Sequence, residues 1–507
     1  MKGEPTQWSA WLLPRLQDVL FIALFLAVIG LGPRMLNIDG DLGRHLTIGE
    51  NILTTRSIPT QDLFSHTMAG EALTPHEWLA QLVFAIAYRS GGLNGVVITC
   101  ALLIASTFTI LFKQCSQRSG MPLVGLSFVI LAAAAASLHW LARPHLFTIL
   151  FVVIWTGELE GLRRGIHQRW WTFPLIMVVW VNVHGAFLAG FVIWGIYLIG
   201  LLGERWQRQG MRSRGLGDAQ NLTLFGLAGA SSLAASLINP VGWRLWETSL
   251  GFLRNRYLVG HTVEYMPPNF QSPSAWPFLL MILLSILLLG LSSTRRPLVE
   301  VLLLAGWTGM GLLSARNIPL YAVVAAPILA SALADWVRES RRLESVLHFD
   351  DRMAGVDTRL KGILWPVLVV SLVFVVYSGR LGGDSIVARN SFSPQVFPVK
   401  AVDWMEAKQI EGRGFNYFPW GGYFLYRAWP EQRVFIDGQT DFYGESLTRQ
   451  YETVLNLSDG WRQVLADYGV SWVLLPKDEQ LVSALQAEDG WKVRYQDPTA
   501  VVLVHEP

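Results

Sequence analysis

Long apolar stretches alternate with short polar ones along most of the chain. Runs of about 20 apolar residues recur, as a bilayer core of about 30 Å demands. They predict eleven spans, at 17–36, 92–112, 121–140, 145–162, 170–183, 185–203, 221–238, 276–293, 297–315, 317–337 and 362–379. The fifth is short, and Asn182-Val183-His184-Gly185 can equally be a break inside one long helix. The first is too long for a cleavable leader, and no small-residue cleavage site follows it. From residue 380 the pattern changes. Val434-Phe435-Ile436, the run from Val470 to Leu475 and Val501-Val502-Leu503-Val504 read as buried strands. Segments 398–408, 445–456, 459–467 and 479–486 read as helices, with Gly469 as a stop signal. The pattern predicts a polytopic α-helical membrane domain over 1–379 and a small α/β domain over 380–507.

Composition sharpens this picture. Hydrophobic residues make up 52% of the 507 and charged residues 15%, where soluble domains average about 25% charged. Mean hydropathy is +0.36. A disordered chain, a nucleic-acid binder and an ordinary cytosolic enzyme are excluded. The net charge of +2 implies no polyanionic partner. Cys100 and Cys115 are too few for a disulfide framework. Basic residues set the direction. With a cytoplasmic N-terminus, inner segments hold 19 of the 40 Lys and Arg, and outer segments before 380 hold nine. An odd span count then puts the tail outside the cell membrane.

On that topology His45, His66, His76, His139, His145, His184 and His261 all fall on the outer side, beside several acids. Polar groups at membrane depth are costly and usually line a cavity, so one outward-facing polar chamber is expected. The first outer loop, 34–76, carries Asp39-Gly40-Asp41. An Asp-x-Asp pair can act as a base or hold a divalent cation. It can equally cap the helix expected at 42–54. His139 and His145 flank Arg143, a set suited to phosphate or metal, or to a snorkelling arginine before a helix that starts at Pro144. The outer loop 239–275 holds an amphipathic stretch and then Thr262-Val263-Glu264, ahead of a double proline. Arg316 lies at the outer boundary, where it can fork onto a lipid phosphate or anchor in headgroups. Glu158 and Glu160 read as interfacial ion pairs with Arg163 and Arg164. Gly-rich phosphate loops, GxSxG and HExxH are absent, which removes ATPase, serine-hydrolase and zincin chemistry.

The order of these features resembles the GT-C glycosyltransferase superfamily, which takes sugars from polyprenyl-phosphate carriers on the outer or luminal face. The nearest motif resemblance is to the oligosaccharyltransferase catalytic subunit. Asp39 to Thr47 resembles that family's Asp-Pro-x-Phe-x-x-Arg loop, and Thr262-Val263-Glu264 its Ser-Val-Ser-Glu motif. Arg316 sits like its lipid-phosphate arginine. Pro419-Trp420-Gly421-Gly422-Tyr423, with the strand that leads to Asp437, resembles its Trp-Trp-Asp-Tyr-Gly acceptor motif. Two departures stand out: Trp-Gly-Gly-Tyr lacks the aspartate, and His139 and His145 stand where that family has an acidic pair.

The resemblance implies an inverting transfer from a polyprenyl-phosphate sugar donor to an extracytoplasmic glycan, lipid or protein acceptor. Asp39 or Asp41 is the base, with Asp39 preferred and Asp41 then the capping or metal-side acid, and Glu264 closes the acceptor side. Arg316, Arg143, His145 and His45 face the lipid phosphate. Trp420, Tyr423 and Asp437 face the acceptor, the two aromatics having core packing as their alternative. A divalent cation, Mg or Mn, would use Asp39, Asp41, His139 and Glu264. A non-catalytic, carrier-binding scaffold of an envelope polysaccharide complex is the alternative function. A transporter would hold its acids near the midplane, not at the outer boundary.

Overall fold

The computed structural model describes residues 7–208, 216–291, 295–340, 343–362, 364–377 and 390–506. The expected boundary at 379/380 and the inner basic residues Lys2, Arg212, Arg214, Arg341 and Arg342 lie outside the described residues.

Every predicted span falls on an apolar helix. Seven are long and apolar enough to cross a bilayer: Ala10–Gly30, Trp78–Ser119, Pro122–His139, His145–Arg163, Gly185–Gln207, Pro273–Leu291 and Ala315–Glu339. Four more, Thr172–Val183, Asn221–Ala235, Leu298–Leu313 and Leu364–Tyr377, are shorter. The protein is a multi-pass membrane protein. Ala315–Glu339 is its most enclosed helix, with 78% of its apolar window buried. Pro273–Leu291 instead turns Leu279, Leu280, Leu283, Ile286 and Leu287 outward, the surface a lipid-facing helix presents.

Two breaks shape the outer end. The chain is extended at His184 (φ −163°, ψ 139°), so 170–203 is two helices. The 42-residue helix Trp78–Ser119 is interrupted at Gly91 and Gly92, where Gly92 has φ +60°. Its first part, from Trp78 to Ser90, is a helix that the span pattern did not predict.

At the far end of His145–Arg163, Glu160 meets Arg163 at 2.7 Å and Arg164 at 2.6 Å, while Arg118 meets Glu300 at 2.5 Å. Glu160 and Glu300 are buried. The pairs of Glu160 with Arg163 and Arg164 are those the sequence suggested, and with Arg118 3.8 Å from Glu160 and Arg163 3.9 Å from Glu300 the group links three helices. Glu158 does pair at the surface, with Arg169 at 3.1 Å.

The tail is a four-stranded sheet of order β1-β2-β4-β3, with β1 Arg413–Asn416, β2 Val470–Pro476, β3 Trp491–Gln496 and β4 Ala500–His505. β1 and β2 run parallel, and the other pairs are antiparallel. The four predicted helices appear as Val399–Lys408, Thr440–Leu455, Trp461–Asp467 and Gln480–Gln486. Val434-Phe435-Ile436 is buried but lies outside the sheet. Val434 forms an isolated bridge to Ser65 of the first outer loop instead. The apolar run was right for burial and wrong for pairing, because its partner is a loop.

The Asp41–Thr55 helix packs on the tail helix Gly421–Ala428. A Cβ on Gly43 would lie 2.2 Å from the Gly422 carbonyl oxygen, and one on Gly422 would lie 2.2 Å from that of Gly40. Only hydrogen side chains let these backbones approach so closely. Gly438 is equally constrained, since a Cβ there would sit 1.9 Å from Asp41 Oδ1. The Trp-Gly-Gly-Tyr and Asp-Gly-Gln segments of the tail thus form a cradle for the Asp-Gly-Asp loop.

Overpacking such a contact costs about 1–3 kcal/mol. Gly422→Ala is therefore expected to lower the thermal unfolding temperature of the purified full chain in detergent. Gly226→Ala, where nothing lies within 4 Å, is expected to leave it unchanged.

Candidate active site

The end of the bundle that meets the tail gathers carboxylates from two loops onto one arginine. Asp39 precedes the Asp41–Thr55 helix, and its Oδ1 accepts the Asp41 backbone N–H at 3.1 Å. The capping bond is therefore made by Asp39; Asp41 is the first residue of the helix. Arg143 reaches Asp39 at 3.3 Å, Asp41 at 2.8 Å and also Glu264. Glu264 stands on the short 3-10 turn Val263–Tyr265, and its other oxygen lies 3.4 Å from Arg316. Arg316 lies over the Tyr265 ring at 5.1 Å.

The loop between the third and fourth helices is braced to its neighbours. His139 Nε2 bonds the Ala315 carbonyl at 3.1 Å, and His145 Nε2 bonds the His139 carbonyl. Ala142 N–H donates to the Met35 carbonyl at 3.4 Å. These contacts hold Arg143 between the Asp39 and Arg316 segments.

A second group lies beside the first. Glu77 lies 3.4 Å from Arg44, 3.7 Å from His45, 3.8 Å from His184 and 3.9 Å from His76. Arg44 bonds Gln439 at 2.8 Å and lies 3.9 Å from Asp437. His184 joins the two groups, because its Nε2 faces the Arg316 guanidinium at 3.2 Å. Arginine only donates, so Nε2 accepts and the ring proton sits on Nδ1. Nδ1–H then donates to Thr148 Oγ1 at 2.9 Å, which also accepts from Trp180 Nε1 at 2.9 Å. Trp180, Thr148 and His184 together hold Arg316 in place.

Electrostatics separates the acids. Burial pushes the Asp39 carboxyl up to about 6, against the pull of Arg143. Burial likewise pushes Asp437 up to about 6 despite Arg44 beside it. Burial acts the same way on Glu264, but Arg143 and Arg316 outweigh it and hold that carboxyl down at about 2. Burial, with Arg44 and Arg143 nearby, keeps His45 well below its usual value and so uncharged.

No known family profile and no curated protein matches this sequence. Solved structures do. The archaeal oligosaccharyltransferase AglB from Archaeoglobus fulgidus, in complex with an inhibitory peptide and a dolichol-phosphate, aligns over 91% of this chain and 69% of its own. The identity is 12% and the TM-score 0.56. Its apo crystal form aligns over the same shares at 12% identity and a TM-score of 0.55. The fold is the one these oligosaccharyltransferase structures share. ArnT from Cupriavidus metallidurans bound to undecaprenyl phosphate aligns over 96% of this chain and 97% of its own, at 15% identity and a TM-score of 0.49.

Within this fold, Asp39, Asp41, Arg143, Glu264 and Arg316 come together. His139 and His145 stand beside them, turned onto backbone carbonyls. His45, expected to face the lipid phosphate, is buried against Glu77 and Gln81 instead. Trp420 and Tyr423 do not line the cleft. Trp420 Nε1 donates to the Val396 carbonyl at 2.9 Å, and the buried Tyr423 ring stacks on Phe397 at 5.2 Å. They pack the cradle, because the glycines between them carry the close contact. Asp437 faces Arg44 from the tail side. Of the other outer histidines, His66 bonds the Gly414 carbonyl at 2.8 Å, and His261 stacks on Tyr257 at 4.0 Å; neither joins the site. The expected metal set does not assemble: His139 points away, Arg143 stands among the three acids, and among the described residues no three His, Cys, Asp or Glu could hold an ion. Glu77 escaped the sequence reading. Its one signal was an acid beside His76 at the head of a long apolar helix.

Nitrogen-15 NMR of histidine-labelled protein is expected to show His184 as the Nδ1–H tautomer, by comparison with His184→Gln. An Nε2–H tautomer would contradict the Arg316 contact.

Proposed function

We propose that this protein transfers a sugar or glycan from a polyprenyl-phosphate carrier to an extracytoplasmic acceptor, with inversion at the sugar carbon. The observation that carries the reading is the meeting of Asp39, Asp41 and Glu264 with Arg143 and Arg316 at one end of the bundle. It is supported by a fold shared with AglB, which has been solved with a dolichol-phosphate and an inhibitory peptide. The N-terminus is cytoplasmic and the tail extracytoplasmic in this reading, as the Lys and Arg distribution favours.

The chemistry follows from charge. The carrier phosphate leaves as negative charge grows on it, and Arg316 is the fixed donor for that charge. The bond from C1 to the phosphate oxygen breaks while a bond forms from C1 to the acceptor. The acceptor gives up its proton to Asp39. Asp39 suits the role better than Asp41, which is held closely by Arg143 and wedged against Gly438. Glu264, held ionised, ties the acceptor-side loop to Arg316. The tail shapes the acceptor side through Asp437 and Arg44.

Asp39→Ala combined with Asp41→Ala is expected to lower transfer from a polyprenyl-phosphate sugar by about 10²–10⁴-fold, with insertion and tail docking intact. Normal transfer by that protein would end the enzymatic reading, and a folded wild type that binds carrier without turnover would make the chain a scaffold. The base must be ionised to act, so the wild-type rate is expected to climb with pH through about 6 and level off above it. Arg316→Ala is expected to lower kcat/KM for the carrier about tenfold or more, the scale of a lost hydrogen bond to a charged group.

A further inference from the structure

The three carboxylates already have a cation. We propose that the Arg143 guanidinium is the built-in counter-charge of this site, standing where the oligosaccharyltransferase resemblance implies a divalent metal. The proposal concerns the same site as the transfer reading and rests on the acids of that reading.

Both terminal nitrogens of Arg143 are in use. Nη1 serves Asp39 at 3.3 Å and also Glu264, and Nη2 serves Asp41 at 2.8 Å. A planar fork with donors on two sides can satisfy acids from separate loops at once. A hard divalent cation would instead need those oxygens drawn in to about 2.0–2.6 Å from one point. The fourth expected ligand is committed elsewhere, since His139 Nε2 sits on the Ala315 carbonyl at 3.1 Å. Arg143 is not a wandering side chain. Its own N–H donates to the Leu141 carbonyl at 2.8 Å, and the neighbouring Ala142 is tied to Met35, just before Asp39.

The charge count agrees. Three carboxylates against Arg143 and Arg316 leave a single net negative charge. Removing Arg143 would leave two, in a half-buried setting where unpaired charge is expensive. Such a vacancy is what a divalent ion fills. The loop that carries Arg143 is also the one where the resembling family has an acidic pair and this chain has none. Loss of those acids and placement of an arginine among the remaining three are two halves of one exchange.

The test is Mn²⁺ binding to the full-length protein in detergent, read from the free-ion electron paramagnetic resonance signal. The wild type is expected to leave Mn²⁺ free up to about 1 mM, the weak end of carboxylate sites. Arg143→Ala is expected to gain one site at least about tenfold tighter, a gap of about 1.4 kcal/mol. That site should disappear when Asp39→Ala is added. A wild-type site of one Mn²⁺ per chain that Asp39→Ala abolishes would overturn the proposal. So would a folded Arg143→Ala protein that gains no site. Should Arg143→Ala fail to fold, the wild-type titration decides alone. Neither measurement uses a sugar donor, so failure of the transfer reading and failure of this one are separable.

Discussion

The tail-facing half of the helical bundle depends on like charges being held close together. Asp39, Asp41 and Glu264 would repel one another in a site shielded from water, where such repulsion is strong. Arg143 turns that repulsion into cohesion by bonding all three. Because the acids and the arginine come from three separate loops, the same contact closes the bundle at the end that meets the tail. Arg316 then has one carboxylate on one side and the neutral acceptor face of His184 on the other. Its charge is only partly spent, as the proposed contact with a carrier phosphate requires.

The tail and the bundle make this site jointly. The glycines of the tail let the first outer loop come into backbone contact, and that contact sets where the acids stand. Farther along, the loop carrying Glu264 is fastened to the tail as well. Asn255 donates to Glu445 at 3.0 Å, and the Tyr257 hydroxyl bonds Glu452. Both loops that deliver acids are therefore indexed against the same small domain.

The parts legible in the sequence were those with a repeating physical cause. Apolar runs of about bilayer length marked the eleven apolar helices found among the described residues, and the separation of 170–183 from 185–203 at His184 was read from the polar run there. In the tail, helical spacing and strand-length apolar runs placed four helices and two of the strands. Val434-Phe435-Ile436 misled because burial and pairing leave the same apolar mark. Asp39 and Asp41 were visible as a pair, but which one caps depends on where the helix begins, a matter of one residue. Trp420 and Tyr423 were named for their rings, when the glycines between them carry the contact. Glu77 and the bonds of Arg143 were not legible, since an isolated charge says nothing of partners a hundred residues away.

The buried pair of Arg44 and Asp437 crosses the seam between bundle and tail. Each is almost wholly enclosed, at 5% and 2% exposure, and neither could stand alone in so dry a place. Lifting the tail domain away would strand a cation in the helical part and an anion in the tail. The soluble portion is thus no appendage that evolution or an engineer could trim or exchange at will; the two halves share one interior and must be inherited as a matched set.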